Sequence, residues 1–379
     1  MIKNIHYYIL LIFTACHTVI PAQDKNELKS DSPRTVTISF VGDLMCHTPQ
    51  MNFARAGKDS FDFKPAFSEV KNILSKSDLT FGNLETTISG IEKHYSGYPL
   101  FNTPDSYLEG LKYAGFNFLL TANNHSFDRG EKGVLRTIEK IHGLGFNSAG
   151  TYSGQRERDS IRVIDINGIK LTVLAYTYGL NGNKIPKNKK YLVNVIDTVL
   201  IKQDINSARE KSADIVLVYF HFGEEYKSKP TFYQKEIVKK VISYGADLII
   251  GSHPHVIQPL EFFSSNKNHI GKGIIAYSLG NFISNQRWRY SDCGVILNFS
   301  IIKNISSRTA SLAGVSFIPT WIFKGKIEKA NKFLILPADS SSINKMKDFL
   351  SKSDREKLIQ SFNDTNKLFE AVNEFKPVK

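Results

Sequence analysis

The sequence of 379 residues contains few cysteines, with three in total, and only two tryptophans and four methionines. Cys16, Cys46 and Cys293 are far apart and form no cluster with the spacing of a zinc finger, which excludes a thiolate metal site. Their spacing also requires no disulfide, although an oxidising compartment would permit one. We therefore expect Cys46 and Cys293 to be free, buried thiols.

Long apolar runs, fixed-period repeats and low-complexity segments are also missing. No segment after the N-terminus approaches the roughly 20 apolar residues that a membrane-spanning helix needs, and nothing indicates a solenoid or a disordered chain. Because 41% of the residues are hydrophobic and 12% are aromatic, the chain can bury a large core. At about 150 residues per domain, the length indicates one large domain or two smaller ones.

Acidic residues are outnumbered, since 36 Asp and Glu against 49 Lys and Arg give a formal net charge of +13. Such a charge suggests nucleic-acid binding, but the lysines are scattered and no basic stripe carries interleaved aromatics. The one modest cluster consists of Lys184, Lys187, Lys189 and Lys190. We predict a solvated basic surface and no nucleic-acid partner. The alternative interpretation is that the overall electrostatic field of the protein attracts an anionic envelope polymer or an acidic substrate.

The N-terminus has the pattern of an export signal. Lys3 precedes the apolar run Ile9 to Ala15, which is too short to span a bilayer and fits the core of a secretory signal peptide. Two ends compete: the stretch from Phe13 to Cys16 resembles a lipobox, which would leave Cys16 lipidated, whereas ordinary cleavage would follow Ala22. We predict a signal peptide over 1–22, a polar linker over 23–34, and an extracytoplasmic protein of the cell envelope that is lipid-anchored, periplasmic or secreted.

Strand-like and helix-like segments alternate from residue 35 onward. Strand candidates are 35–41, 78–81, 117–121, 171–176, 214–220, 247–250, 274–278 and 294–300, and helix candidates begin near Asp105, Glu131 and Thr231. The alternation predicts an α/β layered fold. We predict one main domain over 35–303 and a C-terminal β/helical extension over 304–379, with β segments at 311–322 and 332–336 and a helical appendage over 343–372.

Polar motifs follow six of these strands. They are Gly42-Asp43-Leu44-Met45, Gly82-Asn83-Leu84-Glu85, Asn123-Asn124-His125 with Asp128, His221-Phe222-Gly223-Glu224-Glu225, His253-Pro254-His255 and Gly280-Asn281-Phe282. Each motif alone is common in turns and helix caps, but in open α/β sheets ligands bind at the carboxyl ends of the strands. We therefore expect the motifs to converge.

The residue types in these motifs indicate a metal site. His-Pro-His is the sharpest motif, because an extended segment would place both imidazoles on one side. Mixed Asp, Asn and His donors suit divalent Mn, Fe or Zn rather than a thiolate-bound ion. The sequence thus predicts one or two divalent metal ions.

Taken in order, the six motifs resemble those of the CapA family of bacterial capsule and poly-γ-glutamate biosynthesis proteins, over roughly residues 36–300. The family is related to calcineurin-like metallophosphoesterases, so the resemblance implies a four-layered α/β sandwich. It also implies roles for individual residues. The implied metal ligands are Asp43, Glu85, Asn124, His221, His253 and His255; the implied acid or base is His125; Asn83, Asp128, Glu224 and Asn281 would contact the ligands or the substrate.

Two departures from the metallophosphoesterase pattern bear on the metal site. Such enzymes normally have Asp-x-His in the first motif, whereas here Met45 stands two residues after Asp43 and His47 stands four residues after it. One metal subsite would therefore be short of a ligand. In the second motif, Glu85 replaces an aspartate and has a longer arm.

The sequence predicts a metal-dependent hydrolase of the envelope that cuts a phosphoester or a γ-glutamyl amide bond. The alternative is a non-catalytic accessory protein of capsular polymer assembly or export. The partners implied by the resemblance are an anionic envelope polymer or its precursor and the membrane proteins of capsule biosynthesis.

Overall fold

The structure is a computed structural model that describes residues 32–373 and 375. The predicted signal peptide, Cys16 and all but the end of the predicted linker lie outside the described residues. Among the residues that are described, no helix has both the length and the apolar character needed to cross a membrane.

The chain alternates between strands and helices, as predicted. The strands are β1 (Arg34–Leu44), β2 (Leu79–Leu84), β3 (Phe118–Leu120), β4 (Asn147–Ala149), β5 (Ile164–Ile166), β6 (Ile169–Thr177), β7 (Ile215–His221), β8 (Leu248–Ser252), β9 (Leu260–Phe263), β10 (Gly273–Ala276), β11 (Asn281–Ile283), β12 (Cys293–Lys303), β13 (Ala310–Ile327) and β14 (Ala330–Pro337). The α-helices are α1 (Thr48–Ala54), α2 (Lys71–Leu74), α3 (Ser106–Ala114), α4 (Gly130–Gly143), α5 (Gln155–Asp159), α6 (Thr198–Glu210), α7 (Phe232–Tyr244), α8 (Ser340–Met346), α9 (Lys352–Leu368) and α10 (Glu370–Asn373).

These strands form two mixed sheets. The first sheet has the order β14-β13-β12-β1-β2-β3-β4, with β11 also paired to β1. The second sheet has the order β5-β6-β7-β8-β10-β9. In the first sheet β1 to β4 run parallel, and in the second β6, β7, β8 and β10 run parallel. Each sheet therefore presents the carboxyl ends of several neighbouring strands at one edge.

Side chains on β7 show how the layers are stacked. Ile215, Leu217 and Tyr219 join a core that also contains Ile38 and Phe40 of β1, so the two sheets pack face to face. The alternate residues Val216, Val218 and Phe220 pack with buried residues of α6 and α7 on the outer face. A strand buried on both faces has a continuous apolar sequence, as this one does. Residues of α3 cover the outer face of the first sheet.

The order helix, sheet, sheet, helix confirms the predicted four-layered α/β sandwich. Local signals explain the helix bounds: Thr231 and Gln234 form a capping box at the start of α7, and Gly245, at φ 107°, ends it. Asp105 stands at the start of α3 but makes no capping hydrogen bond. Its carboxylate instead pairs with Arg136 at 2.8 Å.

In two regions the structure shows elements or pairings that the sequence analysis did not predict. The α6 helix was not predicted, although Asp197 caps it and Ile201, Ile205 and Ala208 form its buried face. Residues after 304 continue the first sheet, because β13 pairs with β12 from Cys293 opposite Trp321 to Lys303 opposite Ala310. The predicted free, buried state of Cys46 and Cys293 is confirmed.

Candidate metal centre

The predicted site residues lie where strands of the two sheets end. Asp43 is near the end of β1, Glu85 directly follows β2, Asn124 and His125 lie in the loop after β3, His221 ends β7, and His253 and His255 follow β8. Asn281 begins β11, beside Asp43 on β1. All of these side chains are buried, with at most 4% of each residue exposed. Sequence motifs up to roughly 240 residues apart thus meet in one buried cluster, as their positions after parallel strands require.

Amide side chains hold the carboxylates of the first sheet. Asn83 Nδ2 donates to Asp43 Oδ1 at 2.8 Å and to Glu85 Oε2 at 3.1 Å. Asn123 Nδ2 in turn donates to Asn83 Oδ1 at 3.1 Å. Gly42 is needed beside this network, because a Cβ there would collide with the carbonyl oxygen of Gly280. The close approach of β11 to β1 therefore fixes the position of Asp43.

Imidazoles from the second sheet contact these groups. His221 Nε2 lies 2.9 Å from Asn124 Oδ1 and 3.6 Å from Glu85 Oε1. His255 Nδ1 lies 3.0 Å from Asp43 Oδ2 and 3.2 Å from Asn281 Oδ1. The ring centroid of His253 is 4.8 Å from that of His221. The six implied metal ligands therefore form one connected set of side chains, which we call the donor cluster.

The backbone of the His-Pro-His motif differs from the prediction. An extended segment was expected, and this was wrong: His253 has φ 102° and His255 has φ 58°, both in the left-handed region. The imidazoles nevertheless lie on the same side, with ring centroids 5.9 Å apart. Non-glycine residues in this region cost about 1–3 kcal/mol each and are concentrated at functional sites.

Burial and mutual charge shift the pKa values of the donor cluster. Burial and the charge of Asp43 raise the pKa of Glu85 well above its usual value. Burial and the neighbouring His253 hold the pKa of His221 well below its usual value, and burial together with His255 lowers the pKa of His253 to about 3. Burial alone would raise the pKa of Asp43, but the interactions of its carboxylate with His255, His221 and Ser252 together outweigh burial and lower the pKa. The lowered pKa values keep His221 and His253 neutral, which is the protonation state that metal binding requires.

The donor atoms form three overlapping groups, and within each group the atoms lie within 4.8 Å of one another. They are the first donor group (Glu85, His221, His253), the second donor group (Asp43, Glu85, His255) and the third donor group (Glu225, His253, His255). Two buried atoms of these groups, Glu85 Oε1 and His253 Nδ1, have no hydrogen-bond partner among the described residues. Buried polar atoms are nearly always partnered. The unpartnered oxygen and nitrogen, on residues shared between groups, fit a divalent ion of the Mn, Fe or Zn type.

His125 stands beside the donor cluster with its orientation fixed. Its Nδ1 lies 2.8 Å from Asp128 Oδ2, and that oxygen also accepts from the backbone N–H of Phe101 at 2.8 Å. Asn181 links the same region, since its Oδ1 accepts from Asn124 Nδ2 at 3.1 Å. Because Nδ1 of His125 contacts Asp128, Nε2 is the other ring nitrogen through which this imidazole can make a further hydrogen bond.

The structure also separates two adjacent glutamates. Glu225 belongs to the third donor group, whereas Glu224, which the resemblance implied as a contact residue, is exposed and belongs to none of the groups found among the described residues. His47 is likewise outside these groups, with its Nδ1 3.3 Å from the backbone N–H of Asn285. Met45 is a buried apolar residue, so it supplies no nitrogen or oxygen donor.

Sequence reasoning missed four residues at the site. Asn123 supports Asn83, Ser252 donates to Asp43, Glu225 is in the third donor group, and the ring of Tyr178 lies 4.5 Å from that of His253. Asn123 and Glu225 are members of the motifs and Ser252 directly precedes one, so each is adjacent to a residue that was assigned a role, and that proximity was the available signal. Tyr178 follows β6, a strand after which no motif was recognised, so no sequence signal pointed to this residue.

The layered sheets and the donor cluster at their shared edge define the class: a four-layered α/β sandwich with a buried cluster of candidate metal donors. The chain matches the family described as "Bacterial capsule synthesis protein PGA_cap" over residues 37–286. It is 30% identical over 279 residues to the capsule biosynthesis protein CapA of Bacillus anthracis, covering 71% of this chain and 64% of that protein. It is 28% identical over 288 residues to the PGA biosynthesis protein CapA of Bacillus subtilis, covering 74% of this chain and 72% of that protein. The chain belongs to the bacterial capsule synthesis protein family.

Solved structures with a similar arrangement include two phosphoester-cleaving proteins. One is a phosphatase from Mycoplasma pneumoniae, with a TM-score of 0.45 and 15% identity, covering 76% of this chain and 94% of that chain. The other is the calcineurin-like phosphoesterase YfkN from Bacillus subtilis, with a TM-score of 0.41 and 14% identity, covering 76% of this chain and 91% of that chain.

Proposed function

We propose that this protein is a metal-dependent hydrolase of capsule or poly-γ-glutamate biosynthesis that cuts a phosphoester or a γ-glutamyl amide bond. The observation that carries the proposal is the buried carboxylate of Glu85, which belongs to both the first and the second donor group and has an unpartnered oxygen. The two CapA relatives, which are named for capsule biosynthesis and PGA biosynthesis, support a role in that process.

Each residue of the site has a distinct task in this proposal. Asp43, Glu85 and the three histidines of the donor cluster, with Asn124, would hold one or two divalent ions. Such an ion polarises the bond to be cut and makes water a nucleophile near neutral pH. His125, oriented by Asp128, would give a proton to the leaving group or take one from it.

Metal analysis combined with two assays tests the proposal. The purified protein is stripped with a chelator, reloaded with Mn, Fe or Zn, and analysed by inductively coupled plasma mass spectrometry. Chromogenic phosphoesters and γ-glutamyl anilides are then supplied as substrates. We expect one or two bound ions and hydrolysis of one of the two bond types. Protein that binds no ion, or that stays inactive on both bond types after reloading, contradicts a hydrolase.

The accessory role remains a second candidate because of one surface feature. Lys187 and Lys190 are exposed and line a cavity of about 790 Å³, suited to holding an anionic polymer or its precursor. Lys189 is instead paired with Glu131 at 2.7 Å. In this alternative, Lys187→Glu with Lys190→Glu would impair polymer production, whereas His253→Ala would not. The hydrolase proposal requires that His253→Ala impair it.

The proposal also places the protein outside the cytoplasm, in the envelope, where the membrane proteins of capsule assembly would be its partners. Cys16 decides between the two modes of export. If Cys16 is lipidated, Cys16→Ala shifts the protein from the membrane to the soluble extracytoplasmic fraction. An unchanged distribution supports cleavage after Ala22.

A further inference from the structure

The loop after β7 is fastened to the His-Pro-His turn. The backbone N–H of Tyr226 donates to the carbonyl oxygen of Pro254 at 2.7 Å. At the start of the loop, Gly223 has φ 117°, and a Cβ there would press against the side-chain amide of Gln234, which caps α7. The loop therefore has little freedom to move relative to His253 and His255.

The side chain of Tyr226 holds the other side of the same loop. Its ring centroid lies 6.0 Å from that of His255, and its hydroxyl accepts from Gln286 Nε2 at 3.3 Å. Gln286 Oε1 accepts in turn from Asn281 Nδ2, which also donates to the carbonyl oxygen of Ser291. Glu225 thus sits between two anchored points of the backbone, directly beside the donor cluster.

The third donor group is unlike the other two in its exposure. Its carboxylate belongs to Glu225, which is exposed, whereas Asp43 and Glu85 have no exposed surface. Its two imidazoles are buried, and Nδ1 of His253 has no hydrogen-bond partner among the described residues. A carboxylate that approaches two buried histidines from the solvent side is placed to close the donor cluster on that side.

The two buried groups differ in the number of their imidazole donors. The first donor group has two, His221 and His253, and Asn124 Oδ1 lies 2.9 Å from His221 Nε2. The second donor group has one, His255, with Asn281 Oδ1 3.2 Å from its Nδ1, because the position two residues after Asp43 holds Met45 rather than a histidine. Two divalent ions would bring four positive charges against the two negative charges of Asp43 and Glu85. A third carboxylate would reduce that excess, and the number of ligand charges tunes metal affinity.

We propose that Glu225 is a metal ligand that closes the donor cluster on its solvent side, binding the ion held by His255, with His253 as the neighbouring donor. This inference rests on the proposed metal-dependent function. It gives the chain a protein ligand that compensates for the one missing at position 45. It also explains why the loop that carries Glu225 is anchored to the histidine turn rather than free.

The adjacent glutamates provide a matched pair of variants for the test. Glu225→Gln keeps the shape of the side chain and removes its charge, and Glu224→Gln makes the same change one residue earlier, outside the donor groups. Full-length wild-type protein and both variants are stripped of metal and titrated with Mn²⁺ and with Zn²⁺ by isothermal titration calorimetry. The number of bound ions is then measured by inductively coupled plasma mass spectrometry.

We expect Glu225→Gln to lose one ion or to bind it at least about 10-fold more weakly, while the other ion and the Glu224→Gln protein are unchanged. Equal affinities in Glu225→Gln and wild type overturn the inference. Equal losses of metal affinity in Glu225→Gln and Glu224→Gln assign the effect to the charge of the loop and also overturn the inference. If the wild-type protein itself binds no ion, the proposed function fails, and that result is distinct from a Glu225-specific failure.

Discussion

The two sheets supply chemically different halves of the donor cluster. The strands of the first sheet end in carboxylates and amides, namely Asp43, Asn83, Glu85 and Asn124, and those of the second sheet end in His221, His253 and His255. The first and second donor groups each need both sheets. Only the third donor group draws its carboxylate, Glu225, from the second sheet. The buried donor cluster is therefore a product of sheet packing, and neither sheet alone can form it.

This division also assigns the buried acids to one sheet and the buried imidazoles of the donor cluster to the other. Buried acids repel one another, and buried imidazoles resist protonation. Burying the side chains of either sheet is therefore unfavourable unless those of the other sheet or a cation are present. The predictions below test that dependence by removing one element from each side.

Removing the shared acid of the first sheet should have the largest effect. In Glu85→Gln the first and second donor groups both lose their common carboxylate, and we expect metal affinity to fall by more than about 100-fold and hydrolysis to fall to background. Mass spectrometry of bound metal measures the loss, with the exposed Glu92→Gln as control. Because burial favours the neutral form of Glu85, the metal-free variant should be no less stable than metal-free wild type. Retention of both ions would show that Glu85 is not shared.

His125, which follows β3 of the first sheet, should behave differently from the histidines of the second sheet. His125→Asn removes the candidate proton donor while leaving the donor cluster intact, so we expect kcat to fall by about 10²–10⁴-fold. Bound metal should be unchanged. The exposed His142→Asn on α4 is the control for both measurements. A parallel loss of metal in His125→Asn would make His125 a ligand instead.

The apolar contact between the sheets should matter to stability alone. Leu217→Ala removes a fully buried side chain from the core that joins them. We expect the free energy of unfolding in urea to fall by about 2–5 kcal/mol. Val199→Ala, at a position that is 67% exposed on α6, should change it by no more than about 0.5 kcal/mol. A small effect at Leu217 would mean that the sheets are joined mainly elsewhere.

The smallest effect should be a pH dependence of the second sheet's histidines. Burial and His255 lower the pKa of His253 to about 3, so below its ordinary value the unfolded chain binds a proton that the folded chain does not. The stability of the metal-free protein should therefore fall as pH falls. Relative to His253→Gln, chelator-treated wild type should lose about 1.6 kcal/mol in total between about pH 6.5 and 5, with the slope approaching about 1.4 kcal/mol per pH unit at the lower end. If the unfolding free energies of wild type and His253→Gln, measured by chemical denaturation, change in parallel with pH, the lowered pKa of His253 is contradicted.

The sequence predicted the strand ends more reliably than the turns that follow them. Apolar runs such as 214–220 depend on burial alone, so they were recognisable without the fold. The left-handed backbone at His253 and His255 was not, because it arises where β8 approaches β10: a Cβ on Gly251 would collide with the carbonyl oxygen of Tyr277. The choice of Glu225 over Glu224 likewise depends on the anchoring of Tyr226 to Pro254, a contact between distant motifs.

The left-handed backbone of the histidine turn has a consequence for how quickly an ion can be captured. Its conformation is imposed by the surrounding sheet during folding, so little rearrangement of the chain remains for the moment of capture. An excised peptide with the sequence Gly-Ser-His-Pro-His would lack that preparation and would relax to other shapes. The intact protein should thus bind Mn²⁺ or Zn²⁺ rapidly and without a slow conformational phase. The free peptide should bind neither ion appreciably.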